Sequence, residues 1–310
     1  MRIALFGLPN QVFHAYLALT EAGHTITVII PPTPAHQAHQ AVCAFAKAQN
    51  TPVLFFNQSP LEKPFIQALQ SFIPDVIFVC GYDKLIPPEI LQIPPLGCIN
   101  FHPALLPDYR GGNSYFYMLL QGETIAGVTA HYMDEEFDTG DIIYQESFTI
   151  EKHETMGSLA NKSEQTAAQL AVRIADELVA KKEIPRSPQP EGIFKKAFSV
   201  IPERGDTCIQ WRSPAYAIER LVRACNPFYG ALTTFRGKPF IILQGEIIIN
   251  TSTNVLPGTI VKCTETELWI MTAHGCFAPT VVQYDNYLIG SIERIITTIS
   301  PKVGEILLDY

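Results

Sequence analysis

No CxxC pair occurs in this sequence, and its seven cysteines (Cys43, Cys80, Cys98, Cys208, Cys225, Cys263 and Cys276) are scattered and odd in number. That spacing argues against a zinc site and against a disulfide framework, and it suits buried, reduced thiols. Charge is sparse: only 17% of residues are Asp, Glu, Lys or Arg, and the net formal charge is -8. An overall basic surface for gripping phosphates is therefore absent, although a local basic patch would suffice for nucleic acid. Nowhere does an apolar run reach the roughly 18 residues of a membrane helix, and the opening MRIALFGLPN is too short and too early for a signal peptide. These absences lead us to expect a cytoplasmic protein with no membrane partner. The loop after Phe6 reads GLPN and lacks the GxGxxG pattern, so a dinucleotide is not indicated. No internal repeat and no low-complexity segment is found.

What is present is enough apolar material for a full core, 47% of 310 residues, at a length that suits two domains. Short apolar runs at Arg2 to Phe6, Thr25 to Ile30, Val53 to Phe56, Asp75 to Cys80 and Cys98 to Phe101 alternate with helix-like stretches. The helical candidates are Gln11 to Ala22, His36 to Ala48, Pro60 to Phe72 and Pro87 to Leu91. This grammar predicts an α/β domain with a doubly wound, mostly parallel, Rossmann-like sheet, whose ligands bind beyond the carboxyl ends of the strands. Two further strands, Gly127 to Met133 and Ile142 to Phe148, flank an acidic turn, and a long helix is expected from Glu154 to Lys181. Prolines at 185, 188, 190 and 202 mark a linker. After a helix at Pro214 to Cys225, short strands at Leu232 to Phe235, Phe240 to Leu243, Thr259 to Cys263 and Leu268 to Thr272 indicate a smaller OB-like β-barrel. We divide the chain into a catalytic domain (1–184), a linker (185–208) and a C-terminal domain (209–310).

Two stretches concentrate reactive side chains. In Cys98-Ile99-Asn100-Phe101-His102-Pro103 a buried-looking strand enters a proline-bracketed loop, and residues two apart in a strand share a face. An amide and an imidazole at Asn100 and His102 do complementary work: one donates to a developing oxyanion, the other shares a proton near neutral pH. Taken alone, Asn-x-His is more often a capping Asn beside a hydrogen-bonded core His. The second stretch, Asp134-Glu135-Glu136-Phe137-Asp138-Thr139-Gly140-Asp141, fits neither EF-hand spacing nor a His/Cys cluster, so no metal is expected.

Together, GCINFHPALLPDYRGG and GETIAGVTAHYMDEEFDTGDII resemble the folate-dependent formyltransferases, a family that includes methionyl-tRNA, sugar-nucleotide and glycinamide ribonucleotide formyltransferases. The opening MRIALFGLP, the segment His153 to Leu178 and the run Arg223 to Ala231 extend the resemblance over nearly the whole chain, thinning after Gly258. It implies formyl transfer from 10-formyltetrahydrofolate to an amine through a tetrahedral intermediate, with Asn100, His102 and Asp138 as catalytic residues. Asn100 would donate to the oxyanion, His102 would donate or shuttle a proton, and Asp138 would orient His102 or take the amine's proton through water. The pterin would lie against Gly81, Tyr82, Asp83, Lys84, Leu85 and Ile86, beside Leu105 and the backbone of Glu135, Glu136, Phe137 and Asp138. Pro9, Arg110, Gly111, Asn113 and Tyr115 are candidates for the acceptor side. Leu85, Ile86, Leu105 and Leu106 also read as plain core, and Arg110 reads equally as a partner of a surface carboxylate.

The acceptor is read from a departure. Methionyl-tRNA formyltransferases carry a loop rich in Arg, Lys and Gly after the second strand, whereas Pro31 to Gln40 here contains neither Lys nor Arg. Basic side chains supply much of the affinity for tRNA, so the sequence favours a small amine, a nucleotide-linked amino sugar, over methionyl-tRNA. An amine on a peptide-synthesis carrier, a hydrolase that releases formate from the same folate, and a non-enzymatic folate-binding module are the other readings. The C-terminal barrel reads either as a homodimer interface or as a part that completes the acceptor site.

Overall fold

The computed structural model describes residues 1–56, 63–82, 84–181, 183–190, 200–248 and 255–309. Asp83, the start of the helix expected from Pro60 and much of the linker lie outside the described residues. The N-terminal elements are β1 (Arg2–Gly7), α1 (Pro9–Glu21), β2 (Thr25–Ile30), α2 (His39–Ala48), α3 (Lys63–Ser71), β3 (Val76–Cys80), α4 (Pro88–Leu91), β4 (Cys98–His102), α5 (Ser114–Gln121), β5 (Ile125–Tyr132), β6 (Ile142–Thr149) and α6 (Met156–Lys181). Six strands form one sheet in the order β2-β1-β3-β4-β5-β6. The first four run parallel, and β5 and β6 join antiparallel.

Alternation along each strand splits the core in two. Ile3, Leu5, Phe78, Ile99 and Phe101 face the layer that contains Val12 and Leu19 of α1, Val42 of α2 and Ile174 of α6. Ala4, Phe6, Ile77, Val79 and Cys98 face the layer holding Phe65 and Leu69 of α3 and Ile90 of α4. Helices therefore cover both faces, as the near-continuous apolar runs of β1 and β3 require. One expected strand is reduced: of Val53 to Phe56, only Val53 bridges to Ile29, at the end of β2. The neighbouring hydrogen bonds pass to Pro52 O and from Leu54 N, so the segment touches the sheet at one point.

The later elements are α7 (Ala215–Cys225), β7 (Ala231–Phe235), β8 (Lys238–Ile248), β9 (Ile260–Cys263), β10 (Leu268–Met271), β11 (Cys276–Tyr284), β12 (Leu288–Ser291), α8 (Ile292–Ile299) and β13 (Leu307–Leu308). The antiparallel order is β13-β7-β8-β11-β10-β9, with β12 on β11. A bridge between Thr259 and Ile306, flanked by Ile260 N–H to Glu305 O and Leu307 N–H to Gly258 O, joins the two ends and closes the barrel. Trp211 is buried inside it, its indole N–H donating to Thr233 Oγ1 at 2.9 Å. The long strand β11 was not legible in the sequence, because Pro279 interrupts it at a register shift against β8. By internal packing the chain forms two compact units. One comprises Met1–Ser114, Ile125–Thr149 and Ala160–Val200, and the other Tyr115–Thr124, Ile150–Leu159 and Ile201–Tyr310. Among the described residues no helix is long and apolar enough to cross a membrane.

One buried carboxyl is a stability liability. Glu164 of α6 is 9% exposed, with the His14 imidazole of α1 3.9 Å away, and burial pushes its pKa up to about 7. A carboxyl held above its unfolded value stabilises the fold only while protonated, so stability falls as pH rises from about 4.5 to 7. Glu164→Gln removes that penalty, which is at most about 3 kcal/mol at pH 8. The expected result is a melting temperature raised at pH 8, with the gain shrinking towards pH 5; an equal gain at both pH values would mean that Glu164 does not titrate in this range.

Candidate active site

Strand β4 ends where the sheet changes from parallel to antiparallel, and its alternation sorts the site from the core. Ile99 and Phe101 enter the α1/α6 layer, which leaves Asn100 and His102 on the other face. Strand β5 does the same with Val128 and Ala130 inward and Thr129 and His131 opposite. Register then pairs Asn100 with His131 and His102 with Thr129. Four polar side chains thus share one patch of an otherwise apolar sheet.

Asp138 reaches this patch from the β5–β6 turn. Its φ is 56°, a left-handed conformation that Asp tolerates better than most residues. The turn is tied close to β5: a Cβ on Gly140 would lie 1.9 Å from Tyr132 O, so only glycine fits there. Asp134 caps the start of the turn, accepting from Glu136 N and from Thr139 Oγ1. Glu135, Glu136 and Phe137 project into solvent.

The distances define a connected cluster. His102 Nδ1 lies 3.4 Å from Asp138 Oδ2, and His131 Nε2 lies 3.5 Å from Asp138 Oδ1. Asn100 Nδ2 donates to Asp138 Oδ1 at 3.1 Å and stands 3.1 Å from His131 Nε2. The Gly111 N–H donates to Asp138 Oδ2 at 2.8 Å. Each imidazole is fixed by a carbonyl: His102 Nε2 donates to Tyr109 O and His131 Nδ1 to Tyr132 O, both at 2.8 Å. A carbonyl can only accept, so these bonds place one proton on each ring. His102 is left with Nδ1 facing the carboxylate, and His131 with Nε2 facing the Asn100 amide.

The electrostatics follow from burial and from these partners. Burial lowers the His102 pKa and keeps the ring neutral, against the opposing pull of Asp138 and of the Tyr109 carbonyl. Burial works against ionising Asp138, but the neighbouring His102 and His131 rings and the Gly111 N–H outweigh it, holding the carboxyl well below the usual carboxylate range. A neutral imidazole beside a fixed carboxylate can take a proton at Nδ1 and be stabilised the moment it does so. Among the described residues, no group of His, Cys, Asp and Glu side chains is arranged to hold a metal ion.

The loop after β4 is braced from below. Thr129 Oγ1 donates to Ala104 O and accepts from Leu106 N, and Gln145 Nε2 donates to Leu106 O. Arg110 donates from Nη2 to Gln189 Oε1 at 2.6 Å, while Asn113 is left-handed at φ 62° just before α5. Tyr115 is buried within the second compact unit. Pro9 opens α1.

Among the residues proposed to face the pterin, Gly81 has φ 71° and sits where Gln11 leaves no room for a Cβ. Tyr82 meets Phe6 edge-on at 5.4 Å. Ile86 is core, Lys84 is half-buried, and Leu85 is exposed. Leu105 packs over Gly127 of β5. Sequence reasoning missed His131, Thr129, Gln145 and Gln189. The first two carried a signal: polar residues two apart within an apolar strand mark a face that is not core.

A family model described as "Formyl transferase" matches residues 1–174, and one described as "Formyl transferase, C-terminal domain" matches residues 203–297. A protein of Pelotomaculum thermopropionicum named methionyl-tRNA formyltransferase is 34% identical over 292 residues, 91% of each chain. Two solved structures share the fold at low identity. HypX from Aquifex aeolicus in complex with tetrahydrofolic acid has TM-score 0.68 and 19% identity over 98% of this chain, which spans about half (48%) of that longer protein. The N-formyltransferase from Helicobacter canadensis, in complex with folinic acid and dTDP-3-aminofucose, has TM-score 0.64 and 17% identity over 89% of this chain and 97% of its own. With both parts of the chain matched in order, and a relative alike along nearly its whole length, this protein belongs to the formyl transferase family and is an N-formyltransferase.

Proposed function

We propose that this enzyme moves the formyl group of 10-formyltetrahydrofolate onto the amine of methionyl-tRNA, using Asn100, His102 and Asp138. The observation that carries the acceptor is the 34% identity over 91% of both chains with a relative named for that activity. It reverses the order drawn from the sequence, which placed a nucleotide-linked amino sugar first.

The residues fit the folate donor. Leu85 and Phe137 are exposed apolar side chains, and backbone groups read a pterin edge without dedicated side chains. Attack on the formyl carbon puts negative charge on its oxygen, and the Asn100 amide is the preorganised donor beside it. The amine must lose a proton, and the edge shared by His102 Nδ1 and Asp138 Oδ2 is the place to hold it. Both groups stand in the state this needs, one neutral and one ionised.

The second reading keeps a nucleotide-linked amino sugar as acceptor, because Pro31 to Gln40 has no Lys or Arg to meet tRNA phosphates. Supplying methionyl-tRNA and a dTDP-amino sugar in parallel separates the two. Formylated methionyl-tRNA, with a KM that rises as salt is added, is the expected result; formylation of the sugar alone would replace the acceptor. Stoichiometric formate from the folate with no amine present would make the enzyme a hydrolase.

A further inference from the structure

The proline-marked segment after α6 turns back on the active-site loop. Ser187 and Ile142 exchange backbone hydrogen bonds at 2.8 and 2.9 Å, which places this segment alongside the start of β6. Arg186 pairs with Asp141 at 3.5 Å and lies over the Tyr132 ring. Three residues on, the half-buried Gln189 inserts its amide between the two catalytic loops. Its Nε2 donates to Asp138 O at 2.8 Å and Gly140 O at 2.9 Å, and its Oε1 accepts from Arg110 at 2.6 Å. One side chain therefore joins the loop that carries Asp138 to the loop that supplies the Gly111 N–H to the same carboxylate.

Asp138 has a left-handed backbone in a turn held at its start by the Asp134 cap and near its end by the close approach of Gly140 to β5, and the Gln189 amide fixes the carbonyl of Asp138 itself. The contact with His102 is already 3.4 Å, and any outward drift would abolish it. We propose that Gln189 is a positioning residue of the formyl-transfer site, which sets the Asp138–His102 distance by clamping both loops. The proposal rests on the assignment of Asp138 to the reaction. Gln189 itself bonds backbone carbonyls and Arg110, so it acts through Asp138.

Two variants test it beside Asp138→Asn in the same assay. Gln189→Met keeps the length and removes every hydrogen bond. Gln189→Glu keeps an acceptor for Arg110 but sets oxygen against two carbonyls. Both are expected to fold, to keep the KM for 10-formyltetrahydrofolate, and to lose about tenfold or more in kcat, the scale of a small misplacement of a catalytic group. The acid limb of the pH profile should move to lower pH in both, because His102 loses the carboxylate that favours its charged form. Wild-type kcat and an unmoved acid limb in Gln189→Met, with Asp138→Asn inactive, would overturn the proposal. So would activity in Gln189→Glu alone, which would assign the effect to Arg110, or a fall in melting temperature with unchanged kcat, which would make the clamp merely structural. Wild-type turnover in Asp138→Asn would instead remove Asp138 from the reaction, and the proposal with it.

Discussion

Asp138→Asn is expected to cut kcat by about a thousandfold, within the range of a lost acid–base partner, while the protein folds and binds folate as before. The substitution preserves shape. One oxygen remains to accept the Gly111 N–H, and the left-handed backbone suits Asn as well as Asp. What disappears is the charge 3.4 Å from His102 Nδ1. Because burial already lowers the affinity of His102 for a proton, the ring depends on that carboxylate to hold one taken from the amine. In the wild-type enzyme kcat should be level near neutral pH and fall only at a pH lower than the ordinary imidazole value of about 6.5, because burial lowers the His102 pKa. Steady-state kinetics across pH, with melting temperatures as the control, measure both effects.

Asn100→Ala is expected to cost kcat about a hundredfold to a thousandfold, the usual loss for one oxyanion donor. Its geometry adds a condition. The amide nitrogen already serves Asp138 Oδ1 and faces His131 Nε2, so both of its hydrogens are committed within the cluster before substrate arrives. Donation to the oxyanion must draw on one of these hydrogens, and that couples Asn100 to Asp138. Effects of groups that share a hydrogen bond do not add. The Asn100→Ala/Asp138→Asn double variant should therefore be less impaired than the product of the single losses, with folate KM little changed throughout. Full multiplicativity would show that the two residues act separately.

How far the sequence foretold this site depends on what each residue does. Asn100, His102 and Asp138 were legible because their two stretches together resemble the formyltransferases; a period of two sets Asn100 and His102 on one face of an apolar strand, but nothing within the acidic run itself singles out Asp138. His131 and Thr129 follow the same alternation on β5, but their meaning depends on the antiparallel register that brings His131 opposite Asn100. Gln189 could not be read at all. It sits among prolines with no periodicity and acquires a role only when the chain doubles back to Ile142. The sheet followed from its apolar runs, apart from Val53 to Phe56, where composition suggests a strand and a single bridge is what forms. Barrel closure was likewise hidden, since it rests on backbone contacts of residues 304–307 with 258–260 rather than on any side-chain pattern.

The most direct test is a single-turnover experiment with enzyme in excess over 10-formyltetrahydrofolate, run on the wild type and on Asp138→Asn with the acceptor present and absent. The account predicts that wild-type enzyme places the formyl group on the amine within one turnover and releases no formate when the amine is omitted. It predicts that Asp138→Asn binds the folate with unchanged affinity and transfers almost nothing. Transfer by a folded Asp138→Asn protein at the wild-type rate would contradict it.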